Sequence, residues 1–234
     1  LDEEKSVDVT KLETGITTNG EIDIGTGDDG EISITGTVNI NTMNQISGRY
    51  CVDGGDAVNY SVTDLTSRTA TLSTTPSTGC LAVNDEILLI NLNGTTTSYA
   101  NVGNYETLRV QSIAGSTVTF TTNKTKWYGS GTSDDSGIGT TNGTQRVMLQ
   151  RVPNYTNVTI NTGGNFTPTA YNNVRGGVMF FRATGTVSVA GSSTINANSG
   201  GWRGGANDGS GGGAGGASYC GSRNPTDGSP YGGG

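Results

Sequence analysis

Residues 147–198 read VMLQRVPNYTNVTINTGGNFTPTAYNNVRGGVMFFRATGTVSVAGSSTINAN. Val158 and Ile160 alternate with polar neighbours, as do Val187 and Val189, while residues 178–181 are continuously apolar. Alternation marks a strand with one buried face, and an unbroken apolar run marks a strand covered on both faces. Gly and Asn punctuate these runs, so the strands are short and the chain turns often. Short rungs of this kind predict a β-solenoid or sandwich-like segment over 145–199, a structure that builds surface rather than a reactive cleft.

Working outward, residues 19–48 carry EIDIGTGDDGEISITGTVNI, two alternating runs about a Gly-Thr-Gly-Asp-Asp-Gly turn. That pattern predicts an N-terminal β-hairpin. From Arg49 to Tyr128 the runs lengthen: YSVTDL, TATLSTT, DEILLINLNG, YETLRVQSIAG and STVTFTT. Residues 86–92 follow an Asn-Asp turn, and 108–113 pair with 117–121 across Ala114, Gly115 and Ser116, a small barrel or sandwich over 83–122. The expected organisation is a leader at 1–18, a hairpin and barrel-like module at 19–128, a polar loop at 129–144, the rungs at 145–199 and a Gly-rich terminus at 200–234. The fold class is all-β.

Composition agrees. Hydrophobic residues make up 31% of the chain and Gly contributes 39 of 234 residues, well under the roughly 45–50% apolar usage of soluble domains even with Gly counted there. Fifteen of those glycines fall in 200–234, too dense for a conventional core because Gly brings no side chain. A flexible linker or packed polyglycine strands are the two expectations there, and the absence of a Gly-X-Y period excludes collagen. The leader becomes alternating at Val7 and Val9, either a first strand or a segment donated to a neighbour's sheet edge. The net charge of −7 argues against nucleic acid, which calls for clustered cations. No stretch approaches the ~18 apolar residues of a membrane span.

The chain has no His, which removes Ser-His-Asp, Cys-His and histidine-metal chemistry from it. Paired carboxylates could hydrolyse glycosides, but the acidic residues sit in Gly-rich turns (Asp28, Asp29, Asp53, Asp56, Asp134, Asp135), where they form turns; no enzyme is expected. Asp28 with Asp29 and Asp53 with Asp56 are calcium candidates, since hard cations take carboxylate oxygens from loops, and no other cofactor is implied. Cys51 and Cys80 could close a loop of about 30 residues, contributing about 3–4 kcal/mol in an oxidising exterior. Cys220 would then be left to pair with another chain. Asn-X-Ser/Thr triplets occur at Asn59, Asn93, Asn123, Asn142, Asn154 and Asn157, glycosylation candidates if the host modifies them, and at Asn165, weakened by the following Pro168. Trp127, Tyr128 and Trp202 beside Gly-rich loops could stack on sugar rings.

The strings RVMLQRVPNYTNVTINTGGNFTPTAYNN and GGVMFFRATGTVSVAGSSTINANSGGWRGG, with CLAVNDEILLINLNG and GTGDDGEISITGTVNINT, resemble segments of large secreted bacterial surface proteins in which a β-rich region runs into a glycine-rich stretch. That resemblance implies an exported, extracellular or cell-surface role and transfers no catalytic or ligand residues. The glycine tail is similar in composition to phage tail-tip adhesins. The function expected is a structural subunit of an extracellular filament or adhesive fibre, a homopolymer of copies joined through β-strand edges. The alternative is a carbohydrate-binding adhesin or phage receptor-binding module whose partner is a surface glycan.

Overall fold

The computed structural model describes residues 23–95, 97–198 and 200–201. The leader at 1–18, Trp202, Cys220 and the glycine-rich stretch from residue 202 lie outside them. The described chain is all-β, with fourteen strands and no helix.

Six strands close a barrel: β3 (Asn59–Leu65), β4 (Thr69–Leu72), β5 (Glu86–Asn93), β6 (Tyr105–Ala114), β7 (Thr117–Phe120) and β8 (Arg146–Arg151), in the order β3-β4-β7-β6-β5-β8. All neighbours are antiparallel, and β6 turns into β7 with Ala114 opposite Thr117, as the alternation there predicts. In β4 and β7 every second residue is buried, the mark of one face in the core and one in solvent. Val62, Leu72, Ile87, Val118, Phe120 and Leu149 fill the interior. Strand β8 is buried at every position and β5 at most of them. Their inner residues face the barrel, and their outer ones, Met148, Gln150 and Glu86, contact the rest of the protein. Residues 146–151, grouped by sequence with the rungs that follow, therefore close the barrel instead.

The remaining strands stack in parallel as three rungs. The first holds β1 (Ile32–Ile34) and β2 (Thr37–Asn39). The second holds β9 (Asn154–Tyr155), β10 (Val158–Ile160) and β11 (Asn165–Thr167). The third holds β12 (Arg182–Ala183), β13 (Val187–Val189) and β14 (Thr194–Ile195). Ile32 lies over Val158 and Val158 over Val187; Val38 lies over Phe166 and Phe166 over Ile195. Asn165 and Thr194 of successive rungs are 29 residues apart. Between the first and second rungs the whole barrel is inserted, so one solenoid is interrupted by a second module.

The hairpin expected over 19–48 is absent among the described residues. Strands β1 and β2 pair with β10 and β11, not with each other or with residues 23–24. Alternation names the buried face of a strand but not its partner, and the Gly-Asp turn serves as a solenoid corner: Asp29 N donates to Asn154 O and Thr156 N to Gly30 O. Residues 178–181, read as a doubly covered strand, form none. They cross back between rungs half-buried, with the Phe181 ring 5.9 Å from Tyr155 and 5.7 Å from Phe166.

The stack is asymmetric. Ile32, Ile34, Val158 and Ile160 are buried, whereas Val187 is 42% exposed, Val189 47% and Ile195 40%. The third rung thus presents the solenoid's apolar interior at its open end.

Candidate functional site

Barrel and solenoid are locked by buried charge. On β8, Arg151 donates from Nη2 to Asp29 at 2.5 Å and from Nε to Asp85 at 3.1 Å, joining the first corner to the barrel. Arg182 of the third rung donates from Nη2 and Nε to Glu86 of β5, at 2.7 and 2.8 Å to Oε1. Asn154 of the second rung adds Nδ2 to Glu86 Oε2 at 3.0 Å. Tyr155 donates to Asp56 at 2.9 Å. Every rung is thereby tied to the barrel, and the surface between the two modules is held in one shape.

At the opposite ends of β5 and β8 from these ion pairs lies a groove of about 430 Å³. One part of its lining is Asn93, Gly94 and Thr95 at the end of β5; another is Asn142, Gly143 and Thr144 before β8, with Arg146 below them. Tyr171 and Asn173, from the solenoid loop between β11 and β12, complete it. Local chemistry shapes each part. The Thr144 hydroxyl accepts from Arg146 Nη1 at 2.9 Å and donates to Thr141 O at 2.7 Å, while Thr144 N also donates to Thr141 O across the turn. The solenoid loop is pinched by Asn172, whose side-chain oxygen accepts from Val174 N and Arg175 N. That turn leaves Asn173 with φ 72°, a left-handed conformation that Asn tolerates better than most residues. Tyr171 N donates to Gly200 O. Burial pushes the Tyr171 phenol pKa up, with the Arg146 charge and a hydrogen bond involving Asn93 opposing it.

Among the described residues the groove's polar lining consists of amides, hydroxyls, one phenol and one guanidinium, with no Asp or Glu. Amides and hydroxyls both donate and accept, so such a wall suits a ligand that does the same.

The carboxylates singled out by sequence do other work. Asp29 accepts from Arg151 and from Asn154 N. Asp53 accepts from Tyr60 OH and from Ser77 N and Oγ. Burial raises the Asp53 pKa, but these hydrogen bonds outweigh it and the net shift is downward. Asp56 accepts from Gln45 N, Ile46 N and Tyr155 OH, and burial drives its pKa up despite them. Asp28 is exposed. Among the described residues, three potential ligand atoms converge only at Cys51, Asp53 and Cys80, and there the two sulfurs are joined in a disulfide with Cα atoms 4.4 Å apart.

Of the Asn-X-Ser/Thr triplets, Asn123 and Asn142 are exposed and Asn59, Asn93, Asn157 and Asn165 half-buried. Asn154 is buried, and the nitrogen a glycan would need donates to Glu86 and Val152 O; it is a junction residue, not a surface acceptor. The Asn-Gly-Thr triplets at 93–95 and 142–144 both line the groove, so their sequence signal belonged to a shared site. Trp127 is exposed but lies outside the groove lining, with the Lys124 ammonium 4.5 Å from its ring centre.

No family model and no curated protein matches the chain. Among solved structures it is similar to the tailspike gp61 of Pseudomonas phage phi297, at 17% identity over 69% of this chain and 22% of that one, with a TM-score of 0.25. It is similar to the tailspike gp49 of Pseudomonas phage LKA1, at 15% identity over 61% and 28%, TM-score 0.26. A third is the Gp54 tailspike of Acinetobacter baumannii bacteriophage AP22, solved with A. baumannii capsular saccharide, at 14% identity over 67% and 27%, TM-score 0.29. The chain spans about a quarter of the length of these structures. No helix among the described residues is long and apolar enough to cross a membrane.

Proposed function

We propose that this chain is a saccharide-binding module of an extracellular fibre or spike, with the solenoid as shaft and the barrel as one wall of the binding groove. The observation that carries this is the lining of the groove at the barrel–solenoid junction. Its volume of about 430 Å³ falls in the range of about 300–1,000 Å³ typical of small-molecule sites. Its Asn and Thr side chains match the mixed donors and acceptors of sugar hydroxyls, and Tyr171 offers an aromatic ring of the kind that packs on sugar faces. Hydrogen bonds from Arg146 Nη1 to Gly139 O and Thr144 Oγ1 and from Tyr171 N to Gly200 O hold the walls and lower the ordering cost of binding. Amides and hydroxyls, and no carboxylate pair, line the groove among the described residues, which supports binding over carboxylate-driven glycoside hydrolysis as the reading. Binding of immobilised oligosaccharides should fall at least tenfold in Asn142→Ala with Tyr171→Ala and stay unchanged in Trp127→Ala. Undiminished binding by a folded Asn142→Ala/Tyr171→Ala protein would rule the groove out.

A second reading has its own observation. Val187, Val189 and Ile195 are exposed on the third rung, whose outer edge has no strand partner among the described residues, and such an edge is a surface on which another strand can add. Copies stacking there would form the filament expected from the sequence. Sedimentation at rising protein concentration separates the two: concentration-dependent assembly abolished by Val187→Asp with Val189→Asp supports stacking, and a monomer throughout removes it.

A further inference from the structure

We infer that the ligand of this groove carries a carboxylate, that is, an acidic saccharide such as a uronic-acid-containing chain, and that Arg146 reads the acid; this rests on the saccharide-binding reading above. Arg146 is 8% exposed and lines the groove. Its Nη1 donates to Gly139 O at 3.0 Å and to Thr144 Oγ1 at 2.9 Å. Among the described residues, Nε and Nη2 have no protein acceptor, and no Asp or Glu forms a salt bridge with this guanidinium.

That sets Arg146 apart from Arg151, the other buried arginine among the described residues, and from half-buried Arg49 and Arg182. Arg151 pairs with Asp29 and Asp85, Arg182 with Asp23 and Glu86, and Arg49 with Asp85. A charge withdrawn from water is costly unless it is paired and hydrogen-bonded. Of the two buried arginines among the described residues, Arg151 is paired and Arg146, in the wall of an open groove, is not. The two free donors of a guanidinium fork match the two oxygens of a carboxylate. The hydrogen bonds from Nη1 to the 139–144 turn hold the fork in place before a ligand arrives.

The wider field works against anions, because the chain carries a net charge of −7. Preference for an acid must therefore come from a local contact and not from general attraction. Tyr171 and Asn93 beside Arg146 would then hold the neighbouring hydroxyls of the same sugar.

The experiment compares acidic oligosaccharides of several uronic and nonulosonic types with their methyl esters, using the full chain and calorimetry. Esterification removes the charge and keeps the sugar, so it needs no change in the protein. A hydrogen bond to a charged group contributes about 1.5–3 kcal/mol, so the ester should bind about tenfold or more weakly. Arg146→Gln should lose the same factor for the acid and leave the ester's affinity unchanged, while Arg146→Lys recovers part of it. Equal affinity for acid and ester, with binding still lost in Asn142→Ala/Tyr171→Ala, overturns the role of Arg146 and leaves the saccharide reading intact. Binding of neither form by the unaltered protein overturns both.

Discussion

Arg182 on the third solenoid rung and Glu86 on barrel strand β5 form a two-pronged ion pair, with Nη2 and Nε at 2.7 and 2.8 Å from Oε1. The two residues are 96 positions apart. Glu86 also accepts from Asn154, so one buried carboxylate holds two successive rungs against the barrel. Arg151 does the equivalent for the first rung through Asp29. The groove, at the other end of β5 and β8, is likewise assembled from segments of both modules.

Glu86→Ala should therefore destabilise the whole protein by about 1–3 kcal/mol, because Arg182 and Asn154 lose their shared buried acceptor while Arg182 keeps Asp23. Denaturant unfolding measures this directly. Loss below about 1 kcal/mol would mean that the junction is held by apolar packing and the ion pair is incidental.

The disulfide joins residues that close a loop 29 positions apart. Replacing both cysteines, Cys51→Ser with Cys80→Ser, should cost about 3–4 kcal/mol by the loop-entropy relation. Since both cysteines belong to the barrel's buried cluster, the unfolding midpoint of the oxidised protein should drop under reducing conditions toward that of the double variant. An unchanged midpoint on reduction would show that the bridge adds nothing to the folded state.

Asp56 gives the protein a pH dependence of defined sign. Burial holds its proton more tightly in the folded state, with the hydrogen bonds from Gln45, Ile46 and Tyr155 opposing. The folded form thus keeps this proton to higher pH than the unfolded chain, whose carboxyl titrates near 3.8. The contribution of Asp56 to stability is largest below that value and is lost as pH rises through the folded pKa. Asp56→Asn keeps an acceptor for the two backbone N–H groups and removes the titration. Relative to this variant, the unaltered protein should lose stability between about pH 4 and its folded pKa, then run parallel; a constant difference at all pH values would contradict the assignment.

Ile160 and Val189 occupy matched positions in adjacent rungs but different surroundings, one buried and one 47% exposed. Ile160→Ala should cost about 2–5 kcal/mol, as large-to-small changes in cores do. Val189→Ala should cost about 0.5 kcal/mol or less if the end stays open in solution. Equal costs would show that the third rung is covered, which favours stacking between copies.

Much of the barrel was legible from sequence. Alternation in 69–72 and 117–120 marks their inward faces, and the turn at 114–116 joins β6 to β7 as its Gly and Ser suggest. The solenoid strands at 158–160 and 187–189 were equally visible. Their partners were not: β1 was read as half of a hairpin, and β8 as a rung. Both are short stretches that would satisfy several pairings; the one adopted by β1 depends on contacts more than 100 residues away, such as Asn161 to Ser33, and that of β8 on strands β3 and β5 far back along the chain. The carboxylates drew attention because turns expose them, yet three of the four candidates accept hydrogen bonds within the fold. The Asn-Gly-Thr triplets were noticed as acceptors of glycans, while their meeting in one groove could not be seen.

The sequence by itself determined that this chain forms short strands with one apolar face, turns often, and has no histidine chemistry, because side-chain alternation and composition are local properties. Tertiary structure alone decided that the rungs run parallel, that a barrel interrupts them, and that Arg146 stands in the groove without a carboxylate partner among the described residues. Those outcomes come from closing a sheet and stacking rungs, where each strand's partner is chosen by the burial and pairing of residues far along the chain.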